Sequence, residues 1–189
     1  MKKRKSLLLV IALLLVGVTG GIATLTYSRY LSNANGTATA TVAPWKVKVN
    51  GNDIVTSNTF TMDDITWSTS QYIADGYIAP SRTGTFDIEI DSTGSKVAVK
   101  YDVNIDTTAL ASYSQINIKS VTVDATELTA TDGVYSGTIN LENIDTPKTL
   151  TVTIEWTNAD ATNTSDTTIG STVDSLAIPV TVTASQYLG

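Results

Sequence analysis

The chain has 189 residues, enough for one domain plus a targeting segment. It contains no cysteine and no histidine, which excludes disulfides, the common zinc sites, Cys–His nucleophiles and Ser–His–Asp triads. Beyond Thr26, eight basic residues stand against eighteen acidic ones, a balance that repels phosphate backbones and argues against nucleic-acid binding.

The first element is a targeting signal. Lys2–Lys5 is a positive start, Leu7–Val16 is almost purely aliphatic, and small residues follow over Gly17–Gly21. This predicts a hydrophobic signal helix over residues 1–26, removed on export or retained as an N-terminal anchor. Either way the basic end stays inside and the acidic body goes out. The membrane is then touched only through this segment, and a signal peptidase is the partner during export.

Residues 27–41 form an extension with little to pin it to a domain. Its apolar positions are Tyr27, Tyr30, Leu31, Ala34, Ala38 and Ala40.

Residues 42–189 read as one all-β domain. Apolar and polar residues alternate over Trp45–Val49, Phe86–Ile90, Val97–Ile105, Leu150–Trp156 and Leu176–Ala184. Successive side chains on a strand point to opposite faces, so each run has a buried and a wet side. That pattern favours antiparallel sheets. Thr59–Met62 and Tyr77–Ala79 read as shorter strands. Over Gln115–Asp124 the apolar phase slips between Ile118 and Val121, which predicts a β-bulge or a change of sheet. Val134–Leu141 follows Asp132-Gly133, a hairpin turn signal, and Asn50-Gly51 is another. Pro179 in the last run gives that strand an edge side. Helix is confined to a turn near Asp106–Ser114, and Thr157–Thr172 reads as a long polar loop. The expectation is a single antiparallel β-sandwich of jelly-roll type with about eight or nine strands.

No motif carries catalysis. Asp63-Asp64 reads as a solvated pair at a strand end. Asn158, Asp160, Asn163 and Asp166 are hard-cation ligand types in one loop but lack EF-hand spacing. Trp45 and Trp156 are in phase with apolar faces and read as core, whereas Trp67 is the tryptophan free to be exposed. No catalytic, cofactor or metal residue is assigned, and the protein is not expected to be an enzyme.

Four segments in chain order resemble the TasA/camelysin family of exported matrix proteins, whose precursors are processed by a SipW-type signal peptidase. They are the basic signal ending in Val16–Gly21, the small-residue stretch Asn35–Val42, and Ile78–Ile88 with the Ser92–Ser95 turn and Val97–Ile105. The fourth is the closing run Leu176–Ala184 with Ser185-Gln186-Tyr187. The turn here reads Pro80-Ser81 where the family has Pro-Gly. The resemblance implies a jelly-roll sandwich that polymerises head to tail into extracellular fibres, alone or with other matrix proteins. It also implies that the mature N-terminal segment of one subunit, here within residues 27–40, adds a strand to the next. A metalloprotease activity historically attributed to camelysins finds no histidine here to support it. The competing reading is a monomeric, membrane-anchored surface module for adhesion or carbohydrate binding.

Overall fold

The computed structural model describes residues 39–189. The chain divides into two units, Met1–Thr41 and Val42–Gly189. The expected signal over residues 1–26, and Tyr27, Tyr30, Leu31, Ala34 and Ala38 of the extension, lie outside the described residues. Ala40 is described, exposed and outside any strand.

Val42–Gly189 is mostly β, in antiparallel sheets of which neither is closed. The larger sheet contains β1 (Lys48–Val49), β2 (Asn52–Asp53), β3 (Thr66–Trp67), β4 (Thr83–Asp91), β6 (Ile116–Val123), β7 (Thr126–Glu127) and β9 (Lys148–Trp156). Its order is β2-β1-β4-β9-β6-β7, with β3 also paired to β4. The smaller sheet is β10-β5-β8, where β5 is Val99–Ile105, β8 is Val134–Ile139 and β10 is Val180–Gln186. From β4 onward the longer strands β4, β5, β6, β8, β9 and β10 fall alternately in the large and the small sheet.

One apolar cluster is shared by both sheets. β9 contributes Leu150, Val152, Ile154 and Trp156, β4 contributes Phe86, Ile88 and Ile90, and β5 faces them with Val99, Tyr101 and Val103, all buried. Period-two alternation alone places these side chains on one face, and each full aliphatic burial stabilises by roughly 1.5–3 kcal/mol. The predicted slip in β6 is a register irregularity between Ile118 and Ser120 against β9. It keeps both Ile116 and Val121 buried.

Turn chemistry sets the hairpins. Asn50 (φ 46°) with Gly51 (φ 76°) joins β1 to β2, and Asp132 (φ 52°) with Gly133 (φ 81°) leads into β8. Two successive positive φ values match strand twist in a tight hairpin. Asp124 (φ 49°) and Ala125 (φ 63°) do the same between β6 and β7, although no glycine announces that turn. Ser81 after Pro80 also has a positive φ, 69°.

Several expectations are corrected. Thr59–Met62 and Tyr77–Ala79 are not strands, and the short strand of that region is β3. Only Lys48–Val49 of the Trp45–Val49 run pairs. The closing strand begins after Pro179, whose carbonyl accepts from the Asp106 N–H at 2.8 Å. The stretch expected to be a polar loop holds a 3-10 turn, Asp160–Thr162, and an α-helix, α1 (Asn163–Thr172). Little in the sequence of α1 favours helix, since Ser, Thr and Asn compete with the helical backbone. Tertiary bonds hold it instead. Trp156 Nε1 donates to Asp166 at 2.9 Å, Gln115 Nε2 donates to Ser165 Oγ at 2.6 Å, and Ile169 is buried. Asp166 is therefore committed to the fold rather than exposed in a loop.

A candidate strand-acceptor seam

β10 is one of the two edge strands of the small sheet. β10 pairs with β5 on one side only, Val180 opposite Ile105 through Gln186 opposite Val99. Just beyond its ends, Asp106 N–H donates to the Pro179 carbonyl and Tyr187 N–H donates to the Ala98 carbonyl. These odd-numbered backbone groups face β5. In an antiparallel ladder the direction alternates. The N–H and C=O groups of Val180, Val182, Ala184 and Gln186 therefore point away from β5. No strand among the described residues pairs with them.

The side chains repeat the message. Val180, Val182 and Ala184 pack against the core cluster, yet all three are only half-buried. Their register partners on β5, Ile105, Val103 and Tyr101, are all buried. A groove of about 360 Å³ lies beside β10. Its other wall includes Trp45, Ile54 and Phe60, also half-buried. Trp45 thus faces an opening as well as the core. This wall is pinned: Lys46 N–H donates to Ser95 Oγ at 2.7 Å, Ser95 Oγ donates to the Lys46 carbonyl at 2.6 Å, and Lys96 N–H donates to the Pro44 carbonyl at 3.0 Å.

A wider cleft of about 780 Å³ lies under the segment that leads into β10. Val173, Leu176 and Ile178 form one wall, and Ile65, Trp67 and Tyr77 belong to the other. Ile154 and Trp156 of β9 line it as well. Trp67 is half-buried rather than free, with its ring so close over β4 that a Cβ at Gly84 would overlap it. Tyr77 is 68% exposed. The charged residues lining the cleft are Asp64 and Asp174, both exposed.

The Tyr77 wall is fixed by a residue that sequence reading passed over. Arg82 is buried, and its guanidinium donates to the carbonyls of Ser68 (2.9 Å), Ala74 (2.7 Å) and Tyr77 (2.5 Å). Asp75 lies 3.7 Å away and is exposed. A buried cation needs such partners, because leaving it unpaired costs several kcal/mol. A lone arginine after a Pro-Ser turn carries no pattern that would have revealed this role.

The two openings share no lining residue, but their walls come from successive stretches of the same chain segments. Ser57 to Phe60 lines the groove and Asp64 to Trp67 lines the cleft. Opposite them, Val180 to Ala184 lines the groove and Val173 to Ile178 lines the cleft. Two stretches of chain thus run past each other in opposite directions with space between them. The groove is the smaller of the two and its lining carries no charged residue, whereas Asp64 and Asp174 line the larger cleft. Backbone groups unpaired along β10, apolar walls and length for a strand are what strand addition requires. Of the expected donor residues only Ala40 is described.

No protein-family model, no curated protein and no solved structure matches this chain.

Proposed function

We propose that this is an exported structural protein that polymerises into extracellular matrix or surface fibres by donor-strand addition. Its domain is a jelly-roll β-sandwich whose missing strand comes from the N-terminal extension, residues 27–40, of a neighbouring copy. The observation that carries the reading is the unpaired outward backbone of Val180, Val182 and Ala184 beside an apolar groove. The alternation of the longer strands between the sheets supports the jelly-roll form. The signal-like residues 1–26, the acidic body and the four segments resembling the TasA/camelysin family point the same way. The partners are further copies of the chain and other matrix proteins, and no chemistry of its own is assigned to the domain. A second reading, a monomeric surface adhesion or carbohydrate-binding module, draws on the wide cleft with Trp67 and exposed Tyr77.

The test is a proline placed at Val182. Its N–H points outward, so the domain loses no ladder bond, whereas an added strand would lose one. Exported wild-type protein is expected to form fibres by electron microscopy, and Val182→Pro to remain a monomer with a wild-type circular dichroism spectrum. Thr183→Pro, whose N–H faces β5, serves as the contrast and disrupts the small sheet. Undiminished fibres from Val182→Pro, or none from wild type, would overturn the reading.

A further inference from the structure

The larger cleft lies at the end of the domain where β9 finishes, with Trp156 opposite Ile116, and where β4 starts, with Gly84 opposite Trp67. The chain joins the domain at the other end. There the Lys96 N–H, just before β5, donates to the Pro44 carbonyl, and Lys48 of β1 pairs with Asp91 at the close of β4. The floor of the cleft is Ile116, Ile154, Trp156 and Ile169, all buried. The Trp156 indole N–H is already given to Asp166, so no floor side chain has a hydrogen bond to offer.

The rim is different in kind. Asp64, Asp174 and Tyr77 are exposed there, and no lysine or arginine is among the described residues that line the cleft. Neither aspartate has an ion-pair partner among the described residues. Asp106, after β5, and Asp132, before β8, add exposed negative charge at the same ends of their strands. The cations of the neighbouring elements are matched: Arg82 behind the Tyr77 wall has Asp75 at 3.7 Å, and Lys119 of β6 has Glu155 at 2.9 Å.

We infer that the cleft binds an organic cation with an aliphatic body, of the alkylammonium class, its chain on the isoleucine floor and its charged head at the rim that carries Asp64 and Asp174. The volume of about 780 Å³, and a concave apolar lining with few polar groups, are those of a small-molecule site. Removal of the chain from water drives binding. The rim sets the sign of the head: carboxylates attract a cation and repel an anion, and the acidic surface around them adds to the field. The rings of Trp67 and Tyr77 favour an ammonium group as well. A polyhydroxylated ligand fits worse, because hydroxyls laid on Ile116 and Ile154 lose water and gain no partner. The inference does not depend on fibre formation.

Three probes with one tail separate head from chain: octyltrimethylammonium, octyl glucoside and octyl sulfate. Each is titrated by calorimetry, below its micelle concentration, into the exported chain kept monomeric. The cation is expected to bind about tenfold tighter than the glucoside, with the sulfate weakest, and its advantage to shrink as salt is raised. Asp64→Asn with Asp174→Asn is expected to bring the cation to the affinity of the glucoside and to leave the glucoside unchanged. Gly170 of α1 lines the cleft, and a Cβ there meets nothing within 4 Å. Gly170→Phe therefore fills the site and is expected to weaken the cation and the glucoside about tenfold or more, with a wild-type circular dichroism spectrum. Glucoside or sulfate binding as tightly as the cation would overturn the inference, and a glucoside bound tightest would favour the carbohydrate reading. A cation advantage that survives the double aspartate variant would reduce it to general attraction by an acidic domain. Binding untouched by Gly170→Phe would place the probe elsewhere, such as the groove beside β10. Each of these results would sink the alkylammonium site and leave the fibre reading as it stands.

Discussion

The centre of the large sheet and the β10 flank are built from the same residue types, yet only one of them is finished. β9 runs between β4 and β6 and its inward side chains Leu150, Val152, Ile154 and Trp156 are all buried. β10 has the same alternation, but its inward Val180, Val182 and Ala184 remain half-buried and its outer backbone groups are unpaired. The difference is one of neighbours rather than of sequence. A strand flanked on both sides has its apolar face sealed, whereas an edge strand over a groove keeps area to bury. Buried apolar area is thus concentrated in β4, β9 and β6, and the β10 flank keeps a half-buried apolar face. Large exposed edges are normally blunted by charge, proline or shortness. Val180–Gln186 carries none of these along its length.

The sharpest way to break this comparison is to remove equivalent aliphatic bulk from each region. Val152→Ala cuts a fully buried valine and is expected to destabilise the unassembled protein by about 2–3 kcal/mol. Val182→Ala removes a half-buried one and is expected to cost about 1 kcal/mol or less. Urea unfolding of both variants under conditions that keep the chain monomeric gives the two numbers. If strand addition seals Val182 as proposed, the ranking is expected to narrow in fibres. Equal losses in the monomer would mean that the β10 flank is already closed.

Arg82 tests how independent the cleft wall is of the sheet centre. Arg82→Met removes the donor from the carbonyls of Ser68, Ala74 and Tyr77. Unsatisfied buried groups cost about 1–3 kcal/mol each, but the freed loop can turn to water, so the expected net loss is about 2 kcal/mol. Hydrogen exchange should rise over residues 68–81 while β4 and β9 stay protected, apart from the general fall in stability. Loss of protection throughout the domain would show that the loop and the sheet form one cooperative unit.

Much of the centre was legible in the sequence because period-two alternation is a strong local signal. Phe86–Ile90, Val99–Ile105 and Leu150–Trp156 emerge as strands close to where the apolar phase put them, and the phase slip in β6 marks a real irregularity. The flank was harder. Phe60, Met62, Ile65 and Ile78 suggest strands by composition, but most of that chain is an irregular wall whose backbone bonds go to Arg82 and to turns. Helix α1 was invisible because its residues disfavour helix, and its support comes from Trp156 and Gln115, distant positions that no local window joins. The groove and the cleft were not legible, since their walls come from stretches about a hundred residues or more apart in the chain. Pro179 is a misleading signal: it sits just outside the strand, and its nitrogen, like the other odd-numbered groups, faces β5, so it ends the ladder rather than marking the free edge.

The smallest expected effect concerns turns that link these regions. Ala125 sits at φ 63° between β6 and β7, and Ser81 sits at φ 69° just before Arg82. A non-glycine residue in the left-handed region costs about 1–2 kcal/mol of local strain, while a glycine there loses more entropy on folding. The two terms leave a net gain of about 0.5–1 kcal/mol for Ala125→Gly and for Ser81→Gly, read as a rise in the urea midpoint without a change in slope. The sites differ in what they tighten. The turn at Ala125 closes a hairpin on the far edge of the large sheet, so its gain should be the same in monomer and fibre. The turn at Ser81 sets the carbonyls around Arg82, and with them the Tyr77 wall of the cleft. Ser81→Gly should therefore also slow exchange over residues 68–81, and Ala125→Gly should not. If both variants gain stability and neither changes that loop, the cleft wall is held by Arg82 alone and the turn before it is only a connection.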